Sequence, residues 1–410
     1  MRSSVFWSIF ILALFATGCI TEYNAVLPSS DQQILIVDGC IMSDTTVIFQ
    51  FSKNYPLNSS YTQPNTFNID ATVTIIGNNG YESAPATSLG NGAYSINAGT
   101  LDDNVKYGIK IVYNDDTYQS ALSKPLHTPE IDSISLQQPE KNGPVGICVS
   151  THDNNTGESE FFLWDYTENW EFDATYFTDI FFNPKDSTFY VDSLYLATTY
   201  QTSYYHCWRH NDSKNYMLGS TELLNENRII NKQLYQINPA ADNRLRVLYC
   251  TTINQKAISK SAYDYYQNRI KLNEEMGGLF TPQPSNLDGN ITCITNPSKR
   301  AIGYVEVTKN TVQKRLFVYP SQITSPLFSD DCQLYSLGDL IKELNLDPKM
   351  SNDSIYGTLY VLGYRPALDP AMPPYPFLIT PDKWSFSRCT DCRDNGGTKN
   401  KPDFWPNNDQ

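Results

Sequence analysis

From Ile34 onward the chain carries a series of short strand-like runs of apolar and polar residues separated by turn signals. Ile34–Ile41 and Val47–Lys53 are the first two runs, followed by a Ser/Asn/Pro-rich loop and then Ala71–Ile76. Ala71–Ile76 alternates apolar and polar residues, which gives a strand one side for a core and one for solvent. Gly77-Asn-Asn-Gly80 and Gly90-Asn91-Gly92 punctuate the series, Ala93–Ile96 and Tyr107–Tyr113 continue it, and Asn114-Asp115-Asp116 turns the chain into Thr117–Leu122. Short strands separated by such turns predict a β-sandwich of immunoglobulin-like outline. Lys124–Pro129 reads as a linker, which assigns residues 31–128 to this sandwich and 129–410 to a larger domain.

The second region opens with Ile131-Asp132-Ser133-Ile134 and is richer in aromatic strands: Phe161–Phe172, Thr188–Ala197, Arg244–Thr252, Ala301–Thr308 and Leu316–Tyr319. Helical spacing is found twice. Residues 259–276 carry Ser259 and Ser261 as caps, Ala262, Tyr266 and Ile270 on one face, and Gly277-Gly278 as a stop. Residues 336–344 open with Ser336 and Asp339 as a cap and its partner, and Leu337, Leu340, Ile341 and Leu344 form the apolar face. The six prolines of 366–381 predict extended, irregular chain. The fold class is therefore mainly β: a sandwich followed by a larger aromatic-rich β domain with one or two helices.

The first residues follow another pattern. Arg2 precedes a nearly unbroken apolar run from Val5 to Phe15, and Ala16-Thr17-Gly18 leads into Cys19. The run is too short to span a bilayer comfortably and reads as a secretory signal, residues 1–18. A small residue, Gly and then Cys resembles a bacterial lipobox, in which Cys19 is acylated and becomes the new N-terminus. Residues 19–30 would then be a tether. Several acyl chains on one residue anchor a protein stably, at about 0.8 kcal/mol per buried methylene.

Charge narrows the partners. With 30 Lys+Arg against 44 Asp+Glu the formal net charge is −14. Such a surface repels phosphate backbones, which argues against nucleic acid, and it lacks a basic patch for anionic headgroups. The lipid on Cys19 is the one membrane attachment that the sequence supports. Of the nine cysteines, Cys40, Cys148 and Cys250 sit in apolar runs and read as buried thiols. Cys207, Cys293, Cys332, Cys389 and Cys392 lie in polar or turn-like surroundings and are the disulfide candidates.

Chemistry-bearing motifs are few. Cys389-Thr-Asp-Cys392 together with His206-Cys207-Trp-Arg-His210 has ligand types suited to zinc, but an exported chain favours disulfides. A redox Cys-x-x-Cys would want a βαβ setting that the sequence lacks. Asp153 to Glu158 offers oxygen ligands but misplaces the Gly of a calcium loop and reads as a polar turn. Asp165, Glu168, Glu171 and Asp173 supply carboxylates of the kind glycoside hydrolysis needs, yet acids beside aromatics more commonly form a solvated strand face. There is no Gly-x-Ser-x-Gly elbow, His-Glu-x-x-His or phosphate loop. We therefore assign no catalytic residue, metal or cofactor. Trp164, Tyr166, Trp170 and Trp208 are the candidate ligand-binding rings, a stacking platform for a sugar or peptide; the competing reading is core strand.

Three segments carry a resemblance: Trp164-Asp-Tyr-Thr-Glu-Asn-Trp170, Gly277 to Ile291 with Gly303-Tyr304, and Cys389-Thr-Asp-Cys392 through Trp405. With Leu35–Gly39 after the lipobox, their order resembles a family of Bacteroidota envelope lipoproteins, domain-of-unknown-function family 4249. The resemblance covers nearly the whole mature chain, and its C-terminal motif is the most specific part. Asn169 stands where the pattern has Thr. The family has no established activity, so no catalytic residue is carried over. Its members are often encoded beside TonB-dependent receptors, which implies an outer-membrane lipoprotein with a partner receptor, and Glu22 after the lipid cysteine is the lone acidic residue favouring surface display. Within the C-terminal motif, Cys389 and Cys392 are expected to bridge to partners such as Cys207, Cys293 or Cys332, with Phe404 and Trp405 plugging the fold. The function expected is a non-catalytic accessory or ligand-binding subunit of a TonB-dependent receptor system. The alternatives are a free-standing surface glycan- or peptide-binding lipoprotein and a hydrolase using the Asp/Glu cluster.

Overall fold

The computed structural model describes residues 34–53, 69–153, 159–178, 180–183, 188–191, 204–213, 215–275, 289–324, 328, 330–368 and 382–406. The expected signal, Cys19, the expected tether, residues 154–158, Gly277-Gly278 and most of the Pro-rich stretch lie outside these. The chain is mainly β, as the alternation predicts.

Its first half forms two facing sheets. One runs Ala301–Ile302, Leu35–Asp38, Thr46–Lys53, Ala93–Asn97, Thr87–Gly90; the other runs Ile291–Cys293, Asp116–Ser120, Tyr107–Tyr113, Ala71–Gly77. In Thr46–Lys53 the buried residues are Val47, Phe49 and Phe51, while Thr46, Ile48 and Gln50 face out. Phe49, Phe51, Val73, Ile75, Ile109 and Ile111 meet in one core between the sheets. Asn114 and Asp115 adopt positive φ, 48° and 63°, which matches the hairpin turn to the twist of its strands.

This sandwich is not closed by residues 31–128 alone. Ile291–Cys293 pairs with Asp116–Ser120, Ala301–Ile302 pairs in parallel with Leu35–Asp38, and Glu306–Thr308 pairs in parallel with Cys40–Met42. The Lys124–Pro129 stretch takes part too, because Leu126 bridges Thr308. The returning segment crosses the first strand closely: a Cβ on Gly303, whose φ is +144°, would lie 2.1 Å from the Val37 carbonyl oxygen. Gly303→Ala is therefore expected to destabilise by about 1–3 kcal/mol in urea titrations. A change below about 0.5 kcal/mol, the surface norm, would mean the crossing relaxes freely.

The second half packs a three-stranded sheet (Arg228–Ile237, Val145–His152, Ile131–Gln137) against a larger one ordered His206–Asp212, Phe161–Asp173, Leu248–Ala257, Val312–Val318, with Met217–Ser220 also on Phe161–Asp173. Ile147, Val149, Trp164, Phe172, Tyr249 and Ile253 fill the space between them. Helix α1 (Lys260–Glu275) starts where Ser259 Oγ accepts from the Ala262 amide, and Ala262 packs on Phe161 and Leu163. Helix α2 (Leu337–Glu343) is capped by Ser336, as the spacing predicts. Helix α3 (Asn352–Val361) was not anticipated; Ser351 caps it, and Ile355, Tyr356 and Leu359 bury against Leu340 and Trp384. No described helix is long and apolar enough to cross a membrane.

The C-terminal segment is fastened to the second sandwich. Cys207 bridges Cys392 and Cys332 bridges Cys389. Both members of the Cys-x-x-Cys are thus committed, each to a different distant partner, which leaves no dithiol for zinc or redox exchange. Cys293, a disulfide candidate by sequence, is instead a buried free thiol, because its strand faces the first core and Tyr118. Gly397 touches this staple: a Cβ there would sit 2.5 Å from the Cys207 Cβ. Trp405 is buried with Trp208, Leu248 and Cys250, and Phe404 lies at the surface under the Arg315 guanidinium.

Candidate functional site, a polar groove beside the long strand

Phe161–Asp173 is covered on both faces, and its pleat decides what each side chain does. Phe162, Trp164, Trp170 and Phe172 point into the core between the sheets, with Tyr166 packed against it. Trp164 is fully buried and its Nε1 donates to Gln255 Oε1 at 2.8 Å. Tyr166 is half-buried and stacks on Tyr235 with centroids 3.9 Å apart. Trp208, opposite Glu171 in register, is buried beneath Trp405. The stacking platform expected of Trp164, Tyr166, Trp170 and Trp208 is therefore not displayed. These rings were needed for two cores, and the run carries too many aromatics for one exposed face.

The carboxylates of the same strand are also committed. Asp165 accepts from Asn254. Glu171 and Asp173 bracket His206, whose Nε2 and Nδ1 lie 3.1 and 2.6 Å from them, and His206 is buried. Burial alone pushes the imidazole pKa down, but the hydrogen bonds and charges of Asp173 and Glu171 outweigh it and hold the pKa above the usual histidine value. A raised folded pKa means this stabilisation is full below the unfolded value of about 6.5 and fades as pH climbs through the folded one. Lys399, pushed down to about 8 by burial, donates to the His206 carbonyl and works in the opposite sense above that pH. The stability gap between wild type and His206→Gln, which keeps Lys399, is thus expected to narrow as pH rises above neutrality. A gap constant with pH would mean His206 folds in neutral.

Glu168 lies on the core side, where it builds the floor of a groove of about 300 Å³ lined by Glu168, Trp170, Arg209, His210, Asn211, Asp242, Asn243 and Arg244. The groove opens between the edge strand His206–Asp212 and the turn that precedes Leu248. Glu168 is 1% exposed and accepts from Arg244 Nη1 at 2.5 Å, Tyr249 Oη at 2.6 Å and Asn211 Nδ2 at 3.0 Å. Arg244 is held from the other side by Asp242, with Nη2 to Oδ2 at 2.6 Å. Burial opposes its charge, but the Asp242 hydrogen bonds and the Glu168 charge keep Arg244 firmly protonated. On the rim, Arg209 lies over the Trp170 ring at 5.6 Å and donates to the Asn395 carbonyl at 3.1 Å. His210 sits between Asn169 and Asp212, 3.0 Å from each.

The groove therefore presents hydrogen-bonding groups on a pre-set frame, with its buried acid neutralised from within. A general base needs a free acceptor beside the proton it takes, and Glu168 has its oxygens occupied by three donors. Such a surface suits reversible contact with a polar ligand. Sequence reading weighed Glu168, Trp170 and His210 for other roles and passed over Arg209, Asn211, Asp242, Asn243 and Arg244. The local signal was Asp242-Asn-Arg244, a turn whose acid and base pair with each other; the link to Glu168 spans too much sequence to be read. Among the described residues no cluster of three or more His, Cys, Asp or Glu is placed to hold a metal ion.

The profile of the family described as "Domain of unknown function (DUF4249)" matches residues 20–314. The chain belongs to that family. The DUF4249 match takes in both sandwiches and the groove and ends within the strand Val312–Val318. The C-terminal staple, Cys332 through Trp405, lies beyond it. No curated protein matches the chain.

Proposed function

We propose that this chain is a lipid-anchored envelope protein that binds rather than catalyses, as an accessory or ligand-binding subunit of a TonB-dependent outer-membrane receptor system. The observation that carries the binding reading is the groove, where Arg209, His210, Asn211 and Asn243 surround an acid already neutralised by Arg244. Two disulfides fit a chain exported to an oxidising compartment. The Gly18-Cys19 junction supports the anchor, and the receptor setting rests on the resemblance to envelope lipoproteins encoded beside TonB-dependent receptors.

Affinity capture of the lipidated protein from outer membranes in mild detergent tests the receptor half. Stoichiometric recovery of a TonB-dependent barrel supports it; recovery of the lipoprotein alone overturns it and leaves a free-standing glycan- or peptide-binding protein. Oligosaccharide and peptide arrays test the groove. The double variant Arg209→Ala/Asn243→Ala is expected to weaken any array hit at least about tenfold, the worth of one lost charged hydrogen bond. Unchanged binding would move the ligand elsewhere on the protein.

A further inference from the structure

We propose that Cys40 and Lys256 form a covalent cross-link between the two sandwiches when the protein meets a hydroperoxide. Lys256 Nζ lies 3.2 Å from Cys40 Sγ, across a sequence separation of 216. Cys40 belongs to the strand Cys40–Met42, which pairs with Glu306–Thr308 in the first half of the fold. Lys256 is near the end of Leu248–Ala257, inside the large sheet of the second. A bond between them would tie the two halves at a point where only non-covalent contacts now join them.

The other free thiols among the described residues are built differently. Cys148, Cys250 and Cys293 are buried, whereas Cys40 is half-buried. Burial raises the Cys148 thiol and pushes Cys250 up to about 12, so neither supplies the thiolate that attacks a peroxide. Cys40 instead has an amine in contact. Burial opposes the Lys256 charge, but contact with Cys40 and the charge of Asp165 outweigh it and keep the amine protonated. A cation against sulfur is the setting in which cysteines react with peroxides. Asp165, Tyr216 and Glu306 also face this amine.

The chemistry closes with one equivalent of oxidant. Cys40 sulfur attacks a peroxide oxygen, the O–O bond breaks, and sulfenic acid forms with release of an alcohol or water. Lys256, having given its proton to solvent, then attacks that sulfur. The S–N bond forms, the S–O bond breaks, and the oxygen leaves as water. Sulfur is oxidised, the peroxide is reduced, and the lysine charge is lost.

The test uses the full folded protein with its disulfides intact, exposed to hydrogen peroxide and then digested without thiol for mass spectrometry. The expected product is a peptide pair joined through Cys40 and Lys256, lighter than its two parts by two hydrogen atoms. It separates on adding dithiothreitol and is absent from Cys40→Ser and Lys256→Arg. In Lys256→Arg, which keeps the charge, Cys40 is expected to proceed to sulfinic and sulfonic acid. The proposal is overturned if wild-type Cys40 gains oxygen without the link. It is equally overturned if Cys40 stays a free thiol at a dose that oxidises the half-buried methionines Met42, Met217 and Met350.

Discussion

Replacing Cys207 and Cys392 together by alanine is expected to lower the unfolding free energy by about 5 kcal/mol, the largest effect of any substitution considered. The bridge closes a loop with a sequence separation of 185, and the chain-entropy model assigns a closure of that length about 5 kcal/mol. Both residues are fully buried, so alanine leaves no unpaired polar group and the loss reads the closure itself. The Cys332–Cys389 bridge spans 57 residues inside that loop, for which the same model gives about 4 kcal/mol. Because one loop lies within the other, removing both should cost less than the sum. The consequence extends beyond stability. Trp405 and Thr398 reach the edge strand through contacts with Trp208, and these hold only while the segment is docked. Urea titration with tryptophan fluorescence measures both. A loss under about 1 kcal/mol would mean that non-covalent docking alone closes this loop.

Arg244→Ala is expected to cost about 3–5 kcal/mol, because it strips the counter-charge from a carboxylate that is 1% exposed. Tyr249 and Asn211 would still donate to Glu168, but neither carries charge. The reverse substitution, Glu168→Gln, is expected to cost less, since Arg244 keeps Asp242 and is itself 22% exposed. Combining the two should recover much of the single-variant loss, and a double-mutant cycle measures that recovery. Additive losses would mean that the pair does not interact. The same cycle read through array binding separates the groove's frame from its rim: Arg209→Ala should alter binding while leaving stability nearly unchanged.

Much of the fold was legible because its information is local. The strand run Val47–Lys53, the Asn114-Asp115 turn and the Ser336 cap each fix a backbone shape within a few residues, and each stands as read. Helix α3 escaped because it buries only Ile355, Tyr356 and Leu359, too few positions to set a period. The groove escaped for a different reason. Its floor is on the long strand, its rim on the edge strand and its clamp in the Asp242–Arg244 turn, and no spacing along the chain announces that they meet.

The sequence by itself determined the β class and the family, and it narrowed bridging to five cysteines, four of which pair. These follow from composition and from patterns shorter than one element. Tertiary structure decided the rest. It alone showed that residues 291–308 complete the first sandwich, since a strand's partner is set by which edge remains open when the sheets assemble. It turned the aromatic run from a displayed platform into core, because both faces of Phe161–Asp173 are covered. It chose Cys207 and Cys332 over Cys293, since a disulfide needs two sulfurs brought within bonding distance, and that is a property of the folded backbone.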